Sequence, residues 1–196
     1  NQRLRKTGKP QQQTMNIIPT EIDGVLIIEP RIFQDSRGYF FESFNLREFE
    51  EKVGVIDFVQ DNESKSCYGV VRGLHFQRDG HSQAKLVRVV KGKVLDVAVD
   101  LRRCSGTYGR HVAVELSEDN HRQFFIPRGF AHGFSVLSDE VIFQYKCDNY
   151  YCPSSEGAIA WNDPDLGIDW RIPEDKVILS EKDRNHPFLR DYEILL

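Results

Sequence analysis

Short apolar runs that stop after a few residues, each closed by a turn signal, constrain this chain more than any other feature. From Gly24 onward they follow one another: Val25-Leu26-Ile27-Ile28, Arg31-Ile32-Phe33, the turn Asp35-Ser36-Arg37-Gly38 and then 39–44, 56–60, 70–77, 86–90, 94–101, 110–116, 123–126, 133–137 and 141–146. Runs of this kind, rich in β-branched and aromatic residues and bounded by Gly, Pro, Asp and Asn, are strands. A long series of them argues a closed or double-sheet all-β architecture. One helical interruption is expected at 45–54, with Asn45 as N-cap, apolar residues at helical spacing and Gly54 as the stop. Beyond Pro153 the pattern loosens around Trp161, Trp170, Pro173 and Pro187, which predicts turns and short helices closing over the barrel.

The 196 residues, 40% hydrophobic and 29% charged, suit one globular domain with a sizeable core. The opening 1–14 is polar, basic and without periodicity, so it is expected to be a vector-derived or disordered arm ahead of a single domain at 15–196. A formal charge of -4 gives no basic footprint for nucleic acid, although a local cationic pocket for a phosphorylated ligand fits such a chain. No apolar run reaches the roughly 20 residues of a membrane span, and the cytoplasm is the expected compartment. Cys67, Cys104, Cys147 and Cys152 form no CxxC pair and are expected to be reduced, structural thiols.

The chemistry gathers around Val70-Val71-Arg72-Gly73-Leu74-His75-Phe76-Gln77 and, after a turn, Ala84-Lys85-Leu86-Val87-Arg88. Strand alternation places Arg72, Leu74 and Phe76 on one face and Val71, Gly73, His75 and Gln77 on the other, with Gly73 leaving open space beside the histidine. If the two segments pair antiparallel, Lys85 lies near His75 on that face, a base beside a cation. A histidine in an apolar strand is commonly just a satisfied interior residue; its company argues otherwise. Asp183 follows a short apolar run and is placed to orient the imidazole through its second nitrogen. Tyr145 alternates in phase with Val141 and Phe143, so it faces the core, where a hydroxyl needs a partner. Arg72 stands in a stretch too apolar for an idle charge, which suits contact with phosphate oxygens; Arg37, at a turn, is as well explained by a solvated surface as by anion binding.

The piece Ile126-Pro127-Arg128-Gly129-Phe130-Ala131-His132 carries the Pro-x-Gly-x-x-His pattern of the second half of a cupin jelly roll. Metal-bound cupins supply His-x-His from the first half; here that place reads His75-Phe76-Gln77, one imidazole short, so no metal is expected. With Phe40-Phe41-Glu42-Ser43, Phe58-Val59-Gln60-Asp61-Asn62, Lys85-Leu86-Val87-Arg88, Tyr150-Tyr151-x-Pro153 and Trp161-Asn162-Asp163, the chain resembles the dTDP-4-dehydrorhamnose 3,5-epimerase family from Gly24 to Pro187. The resemblance implies an all-β, cupin-type double-stranded jelly roll with a few short peripheral helices. It also implies a homodimer acting, without a cofactor, on a dTDP-4-keto-6-deoxyhexose. By motif, His75 resembles the general base, Asp183 its orienting partner, Tyr145 the acid on the other face of the sugar, and Lys85 the cation beside the keto oxygen. Arg37, Glu42, Gln60, Asn62, Arg72, His132, Glu156 and Lys182 match substrate-contacting positions, with Phe33 and Tyr151 around the nucleotide and Tyr151 stacking on thymine. The Arg37 region is expected to come from the partner subunit.

The proposed chemistry explains the residue types. A ketone at C4 acidifies the hydrogens at C3 and C5, so an imidazole can remove one if the enolate oxygen meets a positive charge. Inversion then requires a proton from the opposite face, which the same base cannot deliver. The alternatives are an epimerase working at C3 or C5 alone, a non-catalytic nucleotide-sugar-binding jelly roll, and a metal-dependent cupin oxygenase.

Overall fold

The structure is a computed structural model, and it describes residues 15–192; the expectation for 1–14 lies outside them. The strands are β1 (Met15–Pro19), β2 (Leu26–Pro30), β3 (Phe33–Asp35), β4 (Gly38–Phe40), β5 (Gln60–Cys67), β6 (Val71–Gln77), β7 (Lys85–Lys91), β8 (Lys93–Asp100), β9 (His111–Ser117), β10 (Gln123–Ile126), β11 (Phe130–Val136), β12 (Glu140–Cys147) and β13 (Glu156–Ala158). They form a six-stranded sheet, β1-β2-β10-β7-β12-β5, a five-stranded sheet, β13-β6-β11-β8-β9, and a separate hairpin, β3-β4. Every ladder within these sheets is antiparallel. Among the described residues no helix is long and apolar enough to cross a membrane.

Strand alternation sorts the side chains into three apolar layers. Between the sheets lie Val87 and Val89 of β7, Phe124 and Ile126 of β10, Phe143 of β12 and Phe134 of β11. The intervening residues of the five-stranded sheet, Leu95, Val97 and Val99 among them, face outward and are covered by Leu166, Trp170 and Leu189 of the C-terminal segment. That segment is a chain of turns and short 3-10 helices, as its loosened pattern predicts. On the outer face of the other sheet, Ile28, Leu86 and Phe125 pack under Phe49 of α1 (Leu46–Lys52). The helix starts as expected, with the Asn45 side chain accepting from the Glu48 N–H.

Three expectations are corrected. Residues 56–60 are not a strand: Val59 is exposed, and Phe58 packs against Phe44 and Phe49 instead of entering a ladder until Gln60. β6 and β7 do not pair as a hairpin; they belong to opposite sheets, so Lys85 approaches the His75 strand from across the sandwich.

The third correction concerns faces. His132 pairs with His75 but Phe134 pairs with Arg72, so β6 carries one more residue than β11 over this stretch. The extra residue shifts the phase. Val71, Leu74 and Phe76 share the outer layer, which leaves Arg72 on the same side as His75 instead of the opposite one. Gly73 leaves no open space: a side chain there would meet the Gly133 Cα at 2.6 Å and the His132 carbonyl oxygen at 2.8 Å. Its φ of +126 also lies in the region that glycine tolerates and other residues resist.

Candidate active site

His75 on β6 is directly paired with His132 on β11 and with Ala158 on β13, so His75 and His132 project from the same face of the five-stranded sheet. That face is the interior, because His132 alternates with Phe130 and Phe134 of the inner layer. Asp183, on the 3-10 turn Lys182–Asn185, reaches His75 from the C-terminal segment, Oδ1 to Nε2 at 2.6 Å. The contact leaves Nδ1 of the imidazole for other partners. Burial alone would raise the Asp183 carboxyl, but the hydrogen bond and charge of His75, with help from His186 and Ser180, outweigh it and hold the group below the ordinary carboxylate range.

A second imidazole–carboxylate pair sits beside the first. Nε2 of His132 stands 2.9 and 3.0 Å from the two oxygens of Asp96 on β8, both residues being buried. Burial pushes the Asp96 carboxyl up and the His132 imidazole down. Asp96 is absent from the expected site residues, yet a carboxylate inside Val94-Leu95-Asp96-Val97-Ala98-Val99 is a legible signal, since so apolar a strand tolerates a charge only where a partner meets it.

From the facing sheet, Tyr145 of β12 packs against the inner layer beside Phe143. Burial raises its phenol above the ordinary value, against the smaller opposing influences of Arg72 and of a hydrogen bond with Asn62. The Lys85 ammonium of β7 stands 5.7 Å from the centre of the Tyr145 ring, and burial lowers its pKa while the charges of Asp96 and Glu156 oppose the fall. Arg72 donates through Nε to the Ser66 hydroxyl at 3.0 Å. The imidazole of His75 and the phenol of Tyr145 therefore both face the interior, from opposite walls of the sandwich.

At the mouth, Glu156 of β13 accepts from the Tyr151 hydroxyl and from the Lys182 ammonium, each at 2.5 Å. The Gln60 side chain donates to Asn62 Oδ1 at 3.1 Å and accepts the Tyr151 N–H at 3.2 Å, tying this rim to β5. Tyr151 remains half exposed, a free aromatic face at the edge. Gln77, at the place where a metal-binding cupin needs its second imidazole, accepts the Cys152 N–H at 2.8 Å. His75, Asp183 and His186 bring three polar atoms within 4.8 Å of one another. Their spacings of 2.6 and 3.1 Å about one oxygen are those of N–H···O hydrogen bonds, and the cluster is a hydrogen-bonded set.

The structure brings together His75, Asp183, Tyr145, Lys85, Arg72, His132, Asn62, Gln60, Tyr151, Glu156 and Lys182. It does not bring Phe33, Arg37 and Glu42 to them. Arg37 is exposed and paired with Asp35, Phe33 touches Phe40 and Arg31, and Glu42 accepts from Asn45. Tyr39 of the hairpin and Phe41 just after it lie against His121, and Phe41 also against Arg88, on the outer side of the six-stranded sheet.

Two antiparallel sheets packed face to face, with a polar cluster between them, make a cupin-type jelly roll, the fold class shared with solved sugar-nucleotide isomerases. The family model for dTDP-4-dehydrorhamnose 3,5-epimerase matches residues 19–191, and the chain belongs to that family. The epimerase of this name from Methanothermobacter thermautotrophicus is 54% identical over 180 residues, 91% of this chain and 97% of that protein. A crystal structure of the Elizabethkingia anophelis epimerase superposes with a TM-score of 0.88 at 54% identity, covering 91% of this chain and 98% of that one. A dTDP-6-deoxy-D-glucose-3,5-epimerase from Legionella pneumophila, in complex with dTDP-4-keto-L-rhamnose, gives 0.87 at 53% identity, covering 90% and 93%.

Proposed function

We propose that this protein converts dTDP-4-dehydro-6-deoxy-D-glucose to dTDP-4-dehydro-L-rhamnose by inverting C5 and C3, without a cofactor. The observation that carries the reading is the opposition of two proton-handling groups, the Asp183-held imidazole of His75 and the Tyr145 phenol, on facing sheets. His75 removes the proton next to the C4 ketone, and the electron pair moves onto the carbonyl oxygen as an enolate. Lys85 supplies the positive charge that the enolate meets. The phenol, protonated at neutral pH by its ordinary pKa near 10 and raised further by burial, gives its proton to the opposite face of the carbon. The pair then resets by exchanging protons with water, so each inverted carbon carries a solvent hydrogen.

Arg72 is proposed to hold the diphosphate, with Tyr151 stacked on the thymine and Glu156, Lys182, Gln60, Asn62 and His132 completing the sugar and nucleoside contacts. Holding the remote nucleotide would position the reacting carbons. The protein is proposed to act as a homodimer in which the β3-β4 hairpin of one subunit and the segment just after it bring Phe33, Arg37 and Glu42 to the site of the other. Supporting this, Phe33, Tyr39 and Phe40 are large exposed aromatics on that hairpin. Four free cysteines fit a cytoplasmic setting.

Turnover of the dTDP-4-keto sugar in deuterated water tests the reading by product NMR. Deuterium at both C3 and C5 with inverted configuration is expected. Label at a single carbon would mean a single-site epimerase, and binding without exchange would mean a non-catalytic sugar-nucleotide binder.

A further inference from the structure

The Asp183 oxygen that holds His75 is shared. His186 Nε2 lies 3.1 Å from the same Oδ1, and the two imidazoles meet edge to face, 87° apart with centres 6.0 Å from each other. The local chain explains the placement. A 3-10 turn has about three residues per turn, so a side chain three places after Asp183 returns to the same side. Residue 186 precedes Pro187, which favours the extended backbone it adopts, φ -80 and ψ 147. Asp183 is 4% exposed, so water contributes little to satisfying that oxygen.

We propose that His186 is a positioning residue for the base: its N–H competes with His75 for one oxygen of Asp183 and so limits how strongly Asp183 stabilises the His75 imidazolium. The proposal rests on the reading of His75 as the proton acceptor. A carboxylate that already accepts one N–H is a weaker acceptor for the next, because the first bond draws its charge away. Without His186, all of that oxygen's accepting strength goes to His75, and the imidazolium holds its proton longer. The other charged groups facing His75 are Glu156 on β13, which is bridged to Lys182, and His132 on β11 with Lys85 beyond it on β7. They stay in place in variants at position 186.

Side-chain NMR titration of His75 tests this without relying on turnover. In His186→Phe, which keeps a ring and loses the donor, the His75 midpoint should rise by about half a pH unit. The acidic limb of kcat/KM should move in the same direction. His186→Gln, which restores an N–H donor, should return both to the wild-type positions. If His186→Phe does not fold, His186→Ala takes its place with the same expectation. An unchanged His75 midpoint in the donor-less variant, or equal displacement in Phe and Gln, would overturn the proposal. The midpoint pattern without any turnover of the keto sugar would instead overturn the epimerase reading and leave the hydrogen-bond competition standing.

Discussion

Gly73 and Gly133 meet backbone to backbone across β6 and β11, at the point where β6 carries its extra residue; a methyl group on Gly73 would stand 2.6 Å from the Gly133 Cα. The atoms in the way are main chain and cannot swing aside. Gly73→Ala is therefore expected to destabilise the fold by about 3 kcal/mol, from crowding and from a backbone conformation that alanine resists. Urea denaturation measures it, and a loss under half that value would show that the strands part easily.

The pair Asp96–His132 supplies a second stability prediction. Removing one member of a buried, hydrogen-bonded pair leaves the other unsatisfied, a cost of about 3 kcal/mol or more. Asp96→Ala should incur it, whereas Asp96→Asn, which keeps a side-chain oxygen for His132 Nε2, should lose about half as much. Equal losses in the two variants would mean that the hydrogen bond to His132 is not what Asp96 contributes.

Chemistry and binding should separate at His75. His75→Ala is expected to abolish turnover while dTDP affinity, read by calorimetry, stays within a few-fold. Parallel loss of both would make His75 a binding or folding element. Asp183→Asn should lower kcat by at least about a hundredfold, since the imidazole loses its orientation and its charge partner.

Tyr145→Phe removes the donor and leaves the ring against Phe143. The expected result is divorce of exchange from inversion: substrate recovered from deuterated water gains label next to the ketone, yet inverted product falls to near the detection limit. Normal product formation would place the acid elsewhere.

The Asp183 carboxyl also predicts a pH dependence. Its folded-state pKa lies below the ordinary value of roughly 3.9. The sign follows from linkage: a carboxyl with a depressed folded pKa contributes stability that is present above its unfolded pKa and is lost as pH falls through the folded one. The stability gap between wild type and Asp183→Asn should thus be widest above about pH 5 and close as the pH drops below about 4. A gap that stays constant with pH would mean that the charge of Asp183 contributes nothing.

β11, expected at 133–137, begins three residues earlier at Phe130, while β7, β8, β9, β10 and β12 were legible in the sequence to within a residue. The strand β5 was not, because its inward positions, Gln60, Asn62, Ser64 and Ser66, are hydrophilic and leave no two-residue apolar rhythm. The meaning of that loss is plain in the fold: Asn62 pairs with Tyr145 and Ser66 receives Arg72, so this wall is polar where it borders the site. His75, Lys85, Tyr145 and Asp183 could be picked out by residue type and motif. Their approach could not, because one additional residue in β6 reverses the facing of Arg72 and no local pattern announces it. His186 was also invisible, its meaning coming only from the Asp183 oxygen it shares with His75.

Because His75 stands on one sheet and Tyr145 on the other, the width of the reaction slot is set by the aromatic filling between them, notably Phe134 stacked on Phe143 with ring centres 4.3 Å apart. Those rings act as a calliper for the hexose. Trimming one of them would loosen the jaws without touching a reacting group, so that a proton could still be taken from the sugar on one side while its replacement arrives late, or from water.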